Sequence, residues 1–324
     1  MKVLIVRFSS IGDIVLATPV IRCVRQQLGA EVHVLTKHAF RSILEPNPYV
    51  DKVYSIQKRV SEVTQELRGE RYDAVLDLHN NLRSLQVKWS LRARSFTFNK
   101  INWAKWLKVN LKVDRLPKVH IVERYMKPAE ALGVVYDGQG LDYFIPREAE
   151  VSLPGALGVS PGGYVAIAIG AAHATKRLPL EQLVALARGL SEPVVLLGGP
   201  GDAEAGAQIA AAAGAHVANT CGKLSLHQSA SIAKQARHVI THDTGMMHIA
   251  AALRKPITAV WGNTIPGFGM YPFYPEGVQR HTDVEVAGLG CRPCSKIGHE
   301  ACPKGHFRCM KNIEIAAILQ AAQK

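Results

Sequence analysis

Three short segments of this sequence hold side chains that could do chemistry. The first, Arg7-Phe8-Ser9-Ser10-Ile11-Gly12-Asp13, closes an apolar run and opens a helical pattern. Small residues between a strand and a helix leave backbone N–H groups at a helix N-terminus, which is an anion-binding arrangement. By spacing alone Asp13 is either a helix cap, where Asp is favoured, or a carboxylate for proton transfer. The segment is not a GxGxxG fingerprint and the chain has no Walker A lysine pattern, which weighs against hydride transfer and P-loop chemistry. The second segment is GAAHATKRLP, Gly170 to Pro179. Gly170 permits close backbone approach, Thr175 offers a hydroxyl, and Lys176 and Arg177 offer cations. It suits a pyrophosphate or is an exposed basic loop. The third is THDTGMMHIAAAL, Thr241 to Leu253. Gly245 and a helix N-terminus can hold phosphate oxygens, and the Thr244 hydroxyl adds a donor. Asp243 would repel phosphate, so it orients the loop or binds a sugar hydroxyl. His248 is either a packed structural residue or part of the site.

A fourth constellation lies near the C-terminus. Cys291 and Cys294 form a CxxC pair, followed by Cys302 and Cys309, with His299 and His306 nearby. In a cytosolic protein such clustering favours metal over disulfide. Four thiolates would form a tetrahedral structural zinc site; disulfides or free thiols are the other readings. Cys23 sits on a helix and Cys221 in a loop, with no catalytic partner in view.

The elements that must position these residues alternate. The runs Lys2–Phe8, Glu31–Thr36, Val50–Ile56 and Tyr72–Leu78 read as strands of a parallel sheet buried on both faces. Asp13–Leu28 shows helical spacing, with Ile14, Ala17, Ile21, Val24 and Leu28 on one stripe. The second half repeats the rhythm, with strands at Tyr164–Gly170, Val194–Gly198, His238–His242 and, last, Ile257–Trp261. Helices are expected at Leu180–Leu190, Asp202–Ala213, Ser225–Ala236, Asp243–Leu253 and Ile313–Ala322. The Pro- and Gly-rich stretch Pro146–Gly163 reads as a linker. The expected organisation is two Rossmann-like, doubly wound α/β domains, 1–154 and 155–324, with ligands at the carboxyl ends of the strands.

The chain's 324 residues suit two domains, and a 48% hydrophobic composition excludes a disordered chain. No apolar run is long enough to span a bilayer, and the N-terminus does not read as a signal peptide, so the expected compartment is the cytosol. The net charge of +13 points to an anionic partner. From Arg83 to Lys127 there are 12 Lys or Arg against two acids, with Trp89, Phe96, Phe98, Trp103 and Trp106 interleaved. This stretch is a solvated helical face or a basic, aromatic surface for phosphate-bearing amphiphiles at a membrane. No nucleic-acid motif accompanies it, so no nucleic-acid partner is expected.

Taken together, RFSSIGD, GAAHATKRLP and DTGMMHIAAALRKPITAVWGNT resemble glycosyltransferase family 9, the lipopolysaccharide heptosyltransferases, in the family's order and spacing over most of the chain. The resemblance implies a GT-B fold, with two Rossmann-like domains facing a central cleft and the final helix packing back on the first domain. It implies an inverting transferase that needs no catalytic metal. The donor would be a nucleotide sugar, typically ADP-heptose, and the acceptor a lipopolysaccharide inner core or similar glycan. A member with another donor or acceptor, or a non-catalytic glycan- or nucleotide-binding protein, is the alternative.

Carried over residue by residue, Asp13 matches the family's general base and Lys176 the lysine that neutralises the departing diphosphate. Ser10, Gly12, Thr175, Asp202, Asp243, Thr244, Gly245, Met246 and His248 fall at donor-side positions, Asp202 as a candidate for the ribose hydroxyls. Ser9, His79, Asn81, Arg83 and Arg124 fall at acceptor-side positions. Some relatives carry a similar cysteine tail. A basic surface would then hold a cytoplasmic enzyme on the inner-membrane face, against anionic lipid.

Overall fold

The computed structural model describes residues 1–151 and 158–323. The chain forms two compact units, Met1–Ile101 with Val119–Phe144, and Asn102–Lys118 with Ile145–Lys324. The expected boundary between residues 154 and 155 lies outside the described residues. Asn102–Lys118, expected in the first domain, groups with the second unit.

The first unit is built on five parallel strands: β1 (Lys2–Val6), β2 (Glu31–Lys37), β3 (Lys52–Ile56), β4 (Ala74–Asp77) and β5 (Arg94–Thr97), in the order β3-β2-β1-β4-β5. Val3, Leu4, Ile5 and Val6 of the central strand are fully buried. Cover on both faces is why this strand is a continuous apolar run rather than an alternating one. The register Val6↔Asp77 brings the ends of β1 and β4 level, so the chain leaves the sheet at Arg7 and Leu78 side by side. The helix expected over Asp13–Leu28 is two, Ile11–Val15 and Thr18–Leu28. Pro19 has no N–H to offer the Val15 carbonyl, and the Thr18 hydroxyl donates to it instead at 2.7 Å. Arg22, buried on the second helix, is clamped by Asp137 through Nε at 2.7 Å and Nη2 at 2.8 Å, and also by Asp142. This bidentate pair ties the loop after the helix Ile121–Glu130 back to the sheet-covering helix. Strand β5 lies inside the stretch that breaks the sequence rhythm. It is a four-residue edge strand, mostly exposed, so it has no apolar run to announce it.

The second unit carries six parallel strands: β6 (Val165–Ala168), β7 (Val194–Leu197), β8 (Val217–Asn219), β9 (His238–His242), β10 (Ile257–Trp261) and β11 (His281–Glu285), in the order β11-β10-β9-β6-β7-β8. Ile257–Trp261 is therefore not the last strand. Strand β11 buries only Val284, and β8 is three residues at the opposite edge. The final helix, Ile315–Gln323, packs on this unit's own sheet. Ile318 and Ala322 share one core with Leu186, Ile240 and Val260, and Leu319 lies where a Cβ on Gly189 would come within 2.6 Å. Its apolar residues Ile315, Ile318, Leu319 and Ala322 make one helical stripe, which packs on this sheet and on the helix Leu180–Gly189. Among the described residues no helix is long and apolar enough to cross a membrane.

Candidate active site

In the first unit the site forms where β1 ends. The helix Ile11–Val15 starts at once, with Ser10 as N-cap and Asp13 three residues on. Asp13 Oδ2 accepts the Ser10 backbone N–H at 3.2 Å and the Ser10 hydroxyl at 2.9 Å. Its other oxygen faces two residues that the sequence did not single out. Arg7 Nη2 is 2.6 Å from Asp13 Oδ1, and the Tyr125 hydroxyl donates to the same oxygen at 3.1 Å. Arg7 is buried and also gives Nε to the Ser9 carbonyl at 2.8 Å and Nη1 to the Leu78 carbonyl. Burial alone would push the Asp13 carboxyl up. The Arg7 charge and the hydrogen bonds from Ser10 and Tyr125 outweigh it and hold the pKa down at about 2. Asp13 is thus both a cap and an ionised carboxylate whose side chain keeps 20% of its exposure. A charged residue at the end of a wholly apolar strand was the available signal for Arg7.

The acceptor-side candidates divide. His79 follows β4, packs edge-on against Phe8 at 5.2 Å, and has its pKa pressed down to about 4 by burial and the charges of Arg7 and Lys100. It is a neutral imidazole at neutral pH. The backbone N–H groups of His79 and Asn80 donate to the buried Asp77 carboxylate, which fixes this loop. Asn81 is committed to structure: it caps the helix Leu82–Leu91, accepting the Ser84 N–H at 3.0 Å. Arg124 is buried next to Tyr125 on the helix Ile121–Glu130. Arg83 lines a separate concavity with Lys58 and Arg59, to which the Asp13 cluster does not contribute.

In the second unit the site gathers at the ends of β6, β7 and β9. Lys176 Nζ is 2.6 Å from Asp243 Oδ2 and 3.3 Å from the Asp243 carbonyl. The Thr264 hydroxyl donates to the same carboxylate at 2.8 Å. Asp243 therefore orients the lysine. The helix Gly245–Ala252 begins directly after, with Thr244 as N-cap, so its first-turn N–H groups face the loop. Met246 lies in that first turn, and His248 is buried farther along the helix. The room that Gly170 leaves is occupied by Asp202: a Cβ on Gly170 would meet Asp202 Oδ2 at 2.2 Å. Asp202 also accepts the Gly199 N–H at 2.9 Å and pairs with Arg177 at 3.3 Å. Thr175 is buried; its hydroxyl accepts the His299 N–H at 2.8 Å and donates to the His299 carbonyl at 3.1 Å.

That last contact shows what the cysteine-rich tail does. It braces the lysine loop from two directions. Arg292, inside the CxxC turn, donates to the Thr264 carbonyl at 2.9 Å and the Val286 carbonyl at 2.8 Å. Met310 closes on Gly262, where a Cβ would meet it at 2.6 Å. None of the six cysteines is disulfide-bonded. Burial and the neighbouring thiols Cys291 and Cys302 push Cys294 up, and burial with the other three thiols pushes Cys309 up to about 11. The four thiols are near enough for Cys294 and Cys309 to feel the others. Among the described residues, however, the trio with ligand atoms all within 4.8 Å of one another is Glu31, His33 and Glu70. Lys2 and Lys52 pair with that Glu70, so it is an ion-pair network.

The basic stretch is partly consumed by the fold. Lys108 pairs with Asp114 at 2.7 Å, and Lys112 donates to the carbonyls of Cys291 and Pro293 at 3.1 and 2.7 Å. Trp103 and Trp106 stack on each other at 5.3 Å and remain exposed, Trp103 by 70%.

Residues 60–301 match the model of the glycosyltransferase family 9 (heptosyltransferase). The chain belongs to this family. It is a glycosyltransferase. It is similar to lipopolysaccharide heptosyltransferase 2 of Escherichia coli K12, 25% identical over 304 residues that cover 83% of this chain and 84% of that one. The fold matches a family-9 glycosyl transferase from Veillonella parvula, with TM-score 0.79 and 21% identity over 99% of this chain and 96% of that one. It also matches an E. coli heptosyltransferase solved with ADP, with TM-score 0.68 and 22% identity over 99% and 98%. The family-9 enzyme thus has the GT-B fold, two Rossmann-like units each with its own parallel sheet.

Proposed function

We propose that this glycosyltransferase moves a heptose from ADP-heptose to a lipopolysaccharide inner-core acceptor, with inversion and without a catalytic metal. The observation that carries the reading is the ionised Asp13, held by Arg7 and Tyr125 at the end of β1. The acceptor hydroxyl attacks the anomeric carbon as the bond from that carbon to the diphosphate oxygen breaks. ADP leaves with the electron pair, and the hydroxyl proton passes to Asp13. A carboxylate of low pKa suits a proton that is lost late, once the attacking oxygen is bonded and strongly acidic. Attack opposite the leaving group inverts the centre in one step.

On the donor side Lys176 neutralises charge that develops on the diphosphate, the task a metal ion performs elsewhere. Two contacts to Asp243 direct its ammonium, which carries three N–H donors. Thr244, Gly245 and Met246 supply hydroxyl and helix N-terminal donors, and Asp202 takes ribose hydroxyls. The relative solved with ADP supports a nucleotide donor. Zinc on Cys291, Cys294, Cys302 and Cys309 is structural in this reading, bracing the loop that holds Lys176. The enzyme works in the cytoplasm, on the inner-membrane face that presents its acceptor.

Calorimetric titration with ADP-heptose, ADP, UDP-glucose and GDP-mannose in the absence of divalent metal tests the donor assignment. Binding confined to the ADP compounds is expected. Preference for another nucleotide replaces the donor, and binding that appears only on adding a divalent ion contradicts metal independence.

A further inference from the structure

The helix Leu82–Leu91 carries two features to which the transfer step on Asp13 and Lys176 gives no role. Its residues Arg83, Gln86 and Ser90 line a concavity of about 540 Å³, together with Lys58, Arg59, Val60, Ser61 and Thr64. Three cations and the Ser61 hydroxyl line this space; the Thr64 and Ser90 hydroxyls donate to the carbonyls of Val60 and Val87, and no carboxylate is among the lining residues. Beside it, Leu82, Leu85 and Trp89 stand on the same helix with 80%, 42% and 78% exposure. At 100° per residue they form one stripe, and the pocket-lining residues form the next. Ser84 and Val87 face the core on the far side. An apolar stripe adjoining a basic pocket is the surface an anionic amphiphile fits. The pocket takes the phosphate on charge-assisted hydrogen bonds, and the stripe enters the boundary between headgroups and acyl chains.

We infer that this helix is a docking site for the headgroup phosphate of an anionic lipid in a bilayer, with Lys58, Arg59 and Arg83 around the phosphate and Leu82, Leu85 and Trp89 in the interfacial layer. The inference rests on the membrane-surface part of the proposed function and gives it a place on the first unit, apart from Trp103 and Trp106. It predicts that cations and apolar residues contribute together. Charge alone would bind free phosphate, and the stripe alone would bind neutral lipid.

The full chain is to be sedimented with vesicles of phosphatidylcholine alone and of an equal mixture of phosphatidylcholine and phosphatidylglycerol. The same is done for Trp89→Ser and for the double variant Lys58→Glu with Arg59→Glu. All three positions are on the surface, and circular dichroism checks that each variant folds. The expected result is binding to the mixed vesicles only, lowered about tenfold or more in each variant. Wild-type binding in both variants overturns the site. If Trp103→Ser with Trp106→Ser then abolishes binding, the membrane reading survives on the other surface. No binding of the wild type to either vesicle removes both. Inorganic phosphate bound equally by wild type and Trp89→Ser, without vesicle binding, makes the pocket a free-phosphate site and also overturns the inference. Turnover on a delipidated, soluble acceptor reports the transfer chemistry independently of every vesicle result.

Discussion

Arg7 Nη2 stands 2.6 Å from Asp13 Oδ1, and the two side chains are 9% and 20% exposed. This pair decides the charge state of the candidate base. Without the guanidinium, only the hydrogen bonds from Ser10 and Tyr125 would oppose burial, and the carboxyl pKa would rise. Two more of the Arg7 donors go to the carbonyls of Ser9 and Leu78, so the charge is fixed in place rather than mobile.

The pH dependence follows from that pair. The folded Asp13 titrates at about 2, against an ordinary value of 3.8. Its ionised form therefore stabilises the fold above 3.8, and that contribution is lost as the pH falls through about 2. Activity that needs the ionised form has no acid limb in the working range. In Arg7→Met the carboxyl pKa should rise, and the acid limb of kcat/KM should climb with it; Arg7→Lys should restore most of the wild-type profile. An unchanged profile in Arg7→Met contradicts this role.

Gly170 is a packing requirement of the Asp202 carboxylate. Gly170→Ala puts a Cβ 2.2 Å from Asp202 Oδ2. The carboxylate must leave its contacts with the Gly199 N–H and Arg177. A cost of about 1–3 kcal/mol is expected in urea unfolding, as for other overpacked sites, with weaker donor binding alongside. Gly201→Ala, where nothing lies within 4 Å, is the control and should cost much less.

The tail should act on the donor at a distance. Arg292 holds the loop whose Thr264 hydroxyl reaches Asp243, and Asp243 directs Lys176. Arg292→Ala should weaken donor binding about tenfold, which is near the worth of one ordinary hydrogen bond. If zinc sits on the four thiols, elemental analysis should find about one metal per chain, and stripping it should shift donor affinity in the same direction. A metal-free protein with normal donor affinity and four reactive thiols contradicts the zinc assignment.

The strongly apolar strands were legible because burial on both faces writes itself into the sequence, and the candidate segments were read from their carboxyl ends. Strands β5, β8 and β11 were not, since short edge strands bury too little to leave a pattern. The break at Pro19 was visible as a proline, but the helical stripe ran through it. Asp13, Lys176 and Asp243 lie after β1, β6 and β9, the strands that their segments predicted. Apart from Arg7, six residues from Asp13, their supports did not announce themselves: Tyr125 and Thr264 reach them from 112 and 21 residues away and Arg292 acts through Thr264, distances set by tertiary packing. Asn81 and Thr175 have the right chemistry for ligands, yet the fold uses them as a cap and a brace.

The most direct measurement compares ADP release from ADP-heptose by the wild type and Asp13→Asn, with a lipopolysaccharide inner-core acceptor and a chelator present. Donor affinity is measured on the same samples. The amide keeps the size of the carboxylate but cannot take the proton. The account predicts rapid release by the wild type, a loss of at least about a hundredfold in kcat for the variant, and donor affinity nearly unchanged. Near-normal turnover by Asp13→Asn would contradict it.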